Sequence, residues 1–279
     1  MRFAVISNIQ SNISALKAVL DAIDAEAVPV ERIISAGDAV GLGPSPNEVV
    51  DVLRDRDIES VRGNYDDAVA FNRMGTGMDF PDLASEQADA AAVAWTRSAL
   101  TEENMDYLQK LPRDLRLFPM PGSISVKRDV EDDTVSEYRK SFFRRAIFGG
   151  LVSDRPLRVR TKRVRVVHGT PRALNEFVRE DSANSILATI ARDADTDVLV
   201  SGHAAAAFQK VAERVHFIGV PAVSGAGRLG RAEYAVVDVG ETVDVTFEAV
   251  DYDPDEHIRA IGHAGLPESL TSRHGLRLV

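Results

Sequence analysis

The chain has 279 residues, 44% of them apolar and 27% charged, a composition that can bury a core and excludes wholesale disorder. Its 33 basic and 43 acidic residues leave a formal charge of −10, which argues against a general nucleic-acid coat. The absence of cysteine excludes a disulfide framework, a thiolate metal site and a cysteine nucleophile.

The opening MRFAVIS enters an apolar run directly, with no signal-peptide region. No apolar stretch approaches the roughly 20 residues of a membrane span. A cytoplasmic globular chain without a membrane partner is therefore expected. Phe3 to Ile6 reads as a strand, and Asn12 to Ala25 has helical spacing at Ile13, Leu16, Val19, Leu20 and Ile23. Ile33 and Ile34 mark a second strand, Pro46 to Arg56 a helix with Ser45 as its N-cap, and Ile58 to Arg62 a third strand. This β-α-β-α-β order predicts a parallel sheet with right-handed crossovers, in which ligands gather beyond the carboxyl ends of the strands.

Two helices follow, near 84–99 and 101–110, with Trp95 in an apolar stripe. Residues 129–133 then hold four acids, whereas 139–165 hold ten Lys/Arg against one acid, Asp154. Tyr138, Phe142, Phe143 and Ile147 form an apolar stripe among these cations. A solvated amphipathic helix is the plainer reading of this segment, and a lid, dimer contact or anion-binding arm the sharper one. VRVV leads into His168-Gly169, a helix lies near 181–193, and VLVS leads into Gly202-His203. VHFIGV, AEYAVVDV and VDVTFEAV read as antiparallel strands with a turn at Gly240, and helices near 254–264 and 267–273 end the chain. His216, His257, His263 and His274 have no partners in the pattern and read as structural or surface residues.

Polar residues collect at five strand ends: Ser7-Asn8-Ile9-Gln10, Gly37-Asp38, Gly63-Asn64-Tyr65-Asp66, Val167-His168-Gly169 and Gly202-His203-Ala204-Ala205. Each is weak alone; their order across the chain is specific. The series resembles the calcineurin-like metallophosphoesterases, whose pattern is D-x-H, G-D, G-N-H-D, a later H and G-H-x-H, with the small bacterial phosphodiesterase-type members most similar. The likeness extends to GDAVGLGPSPNEVVD, VVHGTPRALNEF and YDPDEHIRAIGHAGLP and is weakest over 120–163. It implies an α/β fold, a four-layer α/β/β/α sandwich with two central mixed sheets. With no internal repeat, low-complexity tract or convincing linker, the sequence reads as a single domain over 1–279, with a divergent charged insertion near 120–163.

Carried over residue by residue, the resemblance places one metal on Asp38, Asn64, His168 and His203. The family's other metal position keeps only the shared Asp38; Asn8, Gln10 and Ala205 stand where it has an aspartate and two histidines. The family's catalytic histidine is Tyr65 here, and its acidic partner is Asp66. Two divalent ions a few ångströms apart need anionic ligands between and around them. A single carboxylate, Asp38, supplies enough for one ion and too little for two. The donor set suits one divalent ion, Mn²⁺ first, with Fe²⁺ or Zn²⁺ as alternatives. Tyrosine, with a reference pKa of about 10 against about 6.5 for histidine, is a poorer proton donor near neutrality. Arg228, in the glycine-rich GAGRLG loop, is a candidate phosphate contact, weighed against simple solvation.

The expected function is hydrolysis of a phosphate ester, as a phosphodiesterase or phosphatase acting on a small phosphorylated substrate, with water attacking phosphorus in line. The alternative is a catalytically impaired descendant that binds a phosphorylated ligand or a protein partner. A nucleic-acid role rests on the basic 139–165 stretch alone and runs against the global charge. A homo-oligomer is compatible with either main reading.

Overall fold

The computed structural model describes residues 1–118, 162–204, 206–225 and 228–266, all within the unit formed by Met1–Phe118 and Lys162–Val279. The charged insertion, but for its last two residues, lies outside them, as do most of the basic stretch, Ala205, His274 and the helix expected near 267–273.

The first third folds as its periodicity predicts. Strand β1 (Arg2–Ile6), helix α1 (Ile13–Asp24), strand β2 (Arg32–Ser35), helix α2 (Pro46–Asp55) and strand β3 (Glu59–Ser60) follow in turn. The α1 apolar stripe of Leu16, Val19, Leu20 and Ile23 is buried, and the Asn12 side chain caps the helix by accepting from the Ala15 N–H at 3.0 Å. Ser45 occupies the N-cap position of α2 without a capping hydrogen bond from its side chain; Pro46 in the first turn presets the backbone there instead. Helix α3 (Asn64–Ala70) starts on the third of the polar strand ends, and α4 (Leu83–Ala99) and α5 (Glu102–Lys110) pack beside it. Trp95 is partly buried against that cluster.

Strand β4 (Asp114–Leu117) precedes β5 (Val164–Val167), helix α6 (Asn184–Ala194), β6 (Val198–Ser201), β7 (Phe208–Ala212), β8 (Val215–Gly219), β9 (Arg231–Val239), β10 (Val243–Asp251) and α7 (Pro254–His263). Neither β4 nor α3 is evident from the sequence, because DLRL is short and charged and NYDDAVA is only two turns long. One five-stranded sheet has the order β10-β9-β1-β2-β3 and the other β4-β5-β6-β8-β7. β1, β2 and β3 are parallel, as are β5, β6 and β8, while β9, β10, β4 and β7 run antiparallel to their neighbours. VHFIGV therefore departs from expectation: β8 is antiparallel to β7 but parallel to β6. A tight hairpin at Glu213 and Arg214, both at positive φ, reverses the chain and delivers β8 beside β6.

The sheets face each other across Phe3, Val5, Ile34, Val166, Val200, Ile218 and Val237, all fully buried. Helix α1 and α2 residues cover the outer face of the first sheet, and α6 covers the outer face of the second. The result is a four-layer α/β/β/α arrangement. Its consequence for function is directional, because the carboxyl ends of both sets of parallel strands open at the same end of the sandwich. No helix among the described residues is long and apolar enough to cross a membrane. Ile34→Ala, which opens a cavity between the sheets, is expected to cost about 2–5 kcal/mol in urea denaturation.

Candidate metal centre

The loop after β1 and the loop after β2 are laced together before any side chain is considered. Asn8 N–H donates to the Gly37 carbonyl at 3.0 Å, Gln10 N–H to Asp38 at 3.1 Å and Ser11 N–H to Ala39 at 2.9 Å. Asn8, Gln10, Ser11 and Asp38 all hold φ between 51° and 56°, in the left-handed region. Such conformations persist only where surrounding contacts enforce them. Gly63 lies so close to this lacing that a Cβ there would sit 2.1 Å from Asp38 Oδ1. Glycine is required at 63 by space, not by its own backbone conformation.

Asp66 fixes the geometry of the Asp38 loop. Its fully buried carboxylate accepts from the backbone N–H of Asp38 at 2.8 Å, Gly63 at 2.9 Å and Val40 at 3.1 Å. Burial, followed by the charge of Asp38, raises its pKa to about 6 against the opposing pull of the Gly63 and Val40 amides. With both oxygens committed to the backbone, Asp66 positions the loop and α3 rather than facing the cluster.

Asp38, His168 and His203 converge, with one potential ligand atom from each lying within 4.8 Å of the others. Asn64 joins them, its Oδ1 2.9 Å from His168 Nε2, and Asp38 Oδ2 lies 3.4 Å from the same nitrogen. His168 Nδ1 is 2.8 Å from the Ala36 carbonyl, which can only accept, so Nδ1 carries a hydrogen. A neutral His168 therefore turns its Nε2 lone pair toward two oxygens that are themselves acceptors. A positive species between them, a proton or a cation, satisfies that arrangement. Burial lowers the His168 pKa, but the Asp38 charge and the hydrogen bonds to Asp38 and Ala36 outweigh it, and the net direction is up. The preference for positive charge at Nε2 is built in.

His203 presents the opposite case. Burial, reinforced by His168, lowers its pKa to about 4, so it is neutral near pH 7. Its Nε2 is buried without a hydrogen-bond partner, while the ring stacks on Phe177 with centroids 3.9 Å apart. An orphaned imidazole nitrogen beside a carboxylate and a second imidazole is the donor chemistry a divalent cation requires. Asp38, Asn64, His168 and His203 thus fit such an ion.

The remaining sequence candidates lie differently. Asn8 Nδ2 donates to the Gly202 carbonyl at 2.7 Å. Gln10 Oε1 accepts from the Leu42 N–H at 3.2 Å, which fixes the amide so that Nε2 donates to Asp38 Oδ2 at 3.1 Å. Tyr65 approaches Asp38 through its backbone, N–H to Oδ1 at 2.9 Å, while its ring is 6% exposed and packs with Val40, Val50 and Val69. Arg228 is an exposed residue of the loop before β9. His216 meets Gln209 at 3.3 Å and His263 the Arg259 carbonyl at 2.7 Å, both away from the cluster. Sequence reasoning missed the Phe177 stack, although the VVHGTPRALNEF similarity contained it, and nothing local names the partners that Gln10 bonds.

The chain belongs to the calcineurin-like phosphoesterase superfamily, whose domain model matches residues 1–242. The uncharacterized protein MJ0912 of Methanocaldococcus jannaschii is 38% identical over 116 residues, a stretch covering 39% of this chain and 41% of that protein. The match thus takes in less than half of the relative's length. A metallophosphoesterase from Sphaerobacter thermophilus is similar in structure, with a TM-score of 0.62 at 27% identity over 99% of this chain and 98% of the other. The hypothetical protein PH1004 of Pyrococcus horikoshii OT3 shares the fold, with a TM-score of 0.70 at 22% identity over 98% and 97% of the two chains.

Asp66→Ala would leave three buried backbone N–H groups without an acceptor. It is expected to cost about 3 kcal/mol or more in urea denaturation. Asp66→Asn, which keeps one accepting oxygen, should recover part of that loss.

Proposed function

We propose that this protein is a divalent-metal-dependent phosphoric ester hydrolase, a phosphodiesterase or phosphatase, with one ion held by Asp38, Asn64, His168 and His203. The supporting observation is the set of partners around Asp38. Its Oδ2 lies 3.4 Å from His168 Nε2, the nitrogen that also meets Asn64 Oδ1. The same oxygen receives an N–H from Gln10. Asn8 likewise spends its N–H₂ on Gly202. The amides at positions 8 and 10 thus use hydrogen-bond donors where a second cation would need negative charge.

A divalent ion in this set supplies Lewis-acid polarisation of a phosphoryl oxygen. The N/O donors favour Mn²⁺, with Fe²⁺ or Zn²⁺ as alternatives. The chain's own residues prepare the site. Ala36 fixes the His168 tautomer, Phe177 holds the His203 ring, and Asp66 and the Tyr65 amide orient Asp38. The packed Tyr65 ring stands where the family has an imidazole that can protonate a leaving group. Esters whose leaving oxygen departs without a proton, such as aryl esters, are therefore the favoured substrates. That same substitution supports the second reading, a catalytically impaired chain that binds a phosphorylated ligand.

Metal analysis after loading with Mn²⁺ should give about one ion per chain, and close to zero for the His168→Ala/His203→Ala variant. Asn8→Asp, Gln10→His and Ala205→His together should raise the count to two. With Mn²⁺, the wild type should hydrolyse an aryl phosphodiester at least about 100-fold faster than the double variant, as expected when a principal electrostatic group is lost. Two ions in the wild type would refute the one-metal site. Equal rates for wild type and double variant would refute the hydrolase, and one ion without turnover would favour the binding reading.

A further inference from the structure

Beside the metal centre lies a cavity of about 260 Å³ that no step above uses. Asn64 forms part of its wall, and three guanidinium groups, Arg73, Arg113 and Arg172, line it against a single carboxylate, Asp67. This is a local cationic excess in a chain with a net charge of −10. The three arginines arrive on separate loops, each anchored by the backbone. Arg73 N–H donates to the Ala68 carbonyl at 2.9 Å, just past α3. Arg62 N–H donates to Pro112 at 2.8 Å, which holds the residue before Arg113 next to the end of β3. Arg172 N–H donates to Thr170 Oγ1 at 3.2 Å, in the loop that follows His168.

Their charges are not equally committed. Arg73 pairs with Asp67, and Arg172 with Glu176 and, at 3.6 Å, Asp193. Arg113 makes no ion pair or side-chain hydrogen bond among the described residues. Asn64 links the cavity to the cation cluster: it forms part of the cavity wall and its side chain also meets His168 Nε2 at 2.9 Å. Guanidinium forks match the paired oxygens of a phosphoryl group.

We propose that this cavity is the subsite for a second phosphoryl group. The substrate class is then a compound with at least two phosphoryl groups, one at the metal centre and one among Arg73, Arg113 and Arg172. The substrate assignment rests on the hydrolase reading above; the anion site does not, because it needs no metal.

The test titrates the full chain calorimetrically, metal-free and with chelator present, using methylenediphosphonate. Binding that weakens with salt, falls about tenfold or more in Arg113→Gln and falls less in Arg113→Lys is the expected result. Absence of binding by the wild type, or equal affinity in Arg113→Gln, overturns the subsite. Because Arg113 makes no ion pair or side-chain hydrogen bond among the described residues, its replacement is expected to leave the thermal midpoint unchanged, which separates a lost site from a lost fold. Mn²⁺ titration keeps the two readings apart. Arg113→Gln should retain Mn²⁺, and His168→Ala/His203→Ala should lose Mn²⁺ yet still bind methylenediphosphonate. A wild type that takes no Mn²⁺ but shows Arg113-dependent anion binding refutes the metal centre alone. With Mn²⁺ supplied, Arg113→Gln should raise KM for an aryl diphosphate ester about tenfold without changing kcat, and leave KM for an aryl monophosphate unchanged. Equal effects on both substrates would overturn the substrate assignment.

Discussion

The candidate site depends on one buried carboxylate that takes no direct part in it. Asp66 draws the amides of Asp38, Val40 and Gly63 onto its two oxygens, and so ties the end of β2 to the start of α3. Burying a charge is costly unless its hydrogen-bonding capacity is met, and here three backbone donors meet it. The same bonds fix where Asp38 can point. Everything the cluster does with Asp38 follows from that anchoring, including the 2.9 Å contact from the Tyr65 amide and the approach of His168.

The two sheets supply the other half of the constraint. Parallel strands must be joined by crossovers, so their carboxyl ends all face one way. Facing two such sheets across a shared apolar layer brings the loops after β2 and β3 opposite those after β5 and β6. The Ala36 carbonyl receives His168 from the other sheet, and the Gly202 carbonyl receives Asn8 in return. The site is therefore a seam between sheets, held by reciprocal hydrogen bonds between residues more than 130 positions apart.

Much of this was legible in the residues. Apolar periodicity located β1, α1, β2, α2 and most later strands, and the polar strand ends, read together, identified the family. What escaped has physical reasons. α3 and β4 are too short and polar for periodicity to register. The parallel pairing of β8 is a property of sheet order, which local pattern does not encode. The amide of Gln10 reads as a relic or a hydrogen-bonding group rather than a ligand; the placement of Leu42 decides which end faces Asp38. The ring of Tyr65, at the position of the family's histidine, lies in the apolar cluster with Val50 and Val69. The arginine cavity draws on loops far apart in sequence, so no window along the chain contains it.

The Gln10 bridge has a bearing on assembly. In proteins whose binding loops are shaped by the ion itself, chelation and unfolding are one event. Here a neutral side chain spans from Asp38 to Leu42, so the chain's own hydrogen bonds close the loop. Chelation is therefore not expected to unfold this part of the chain.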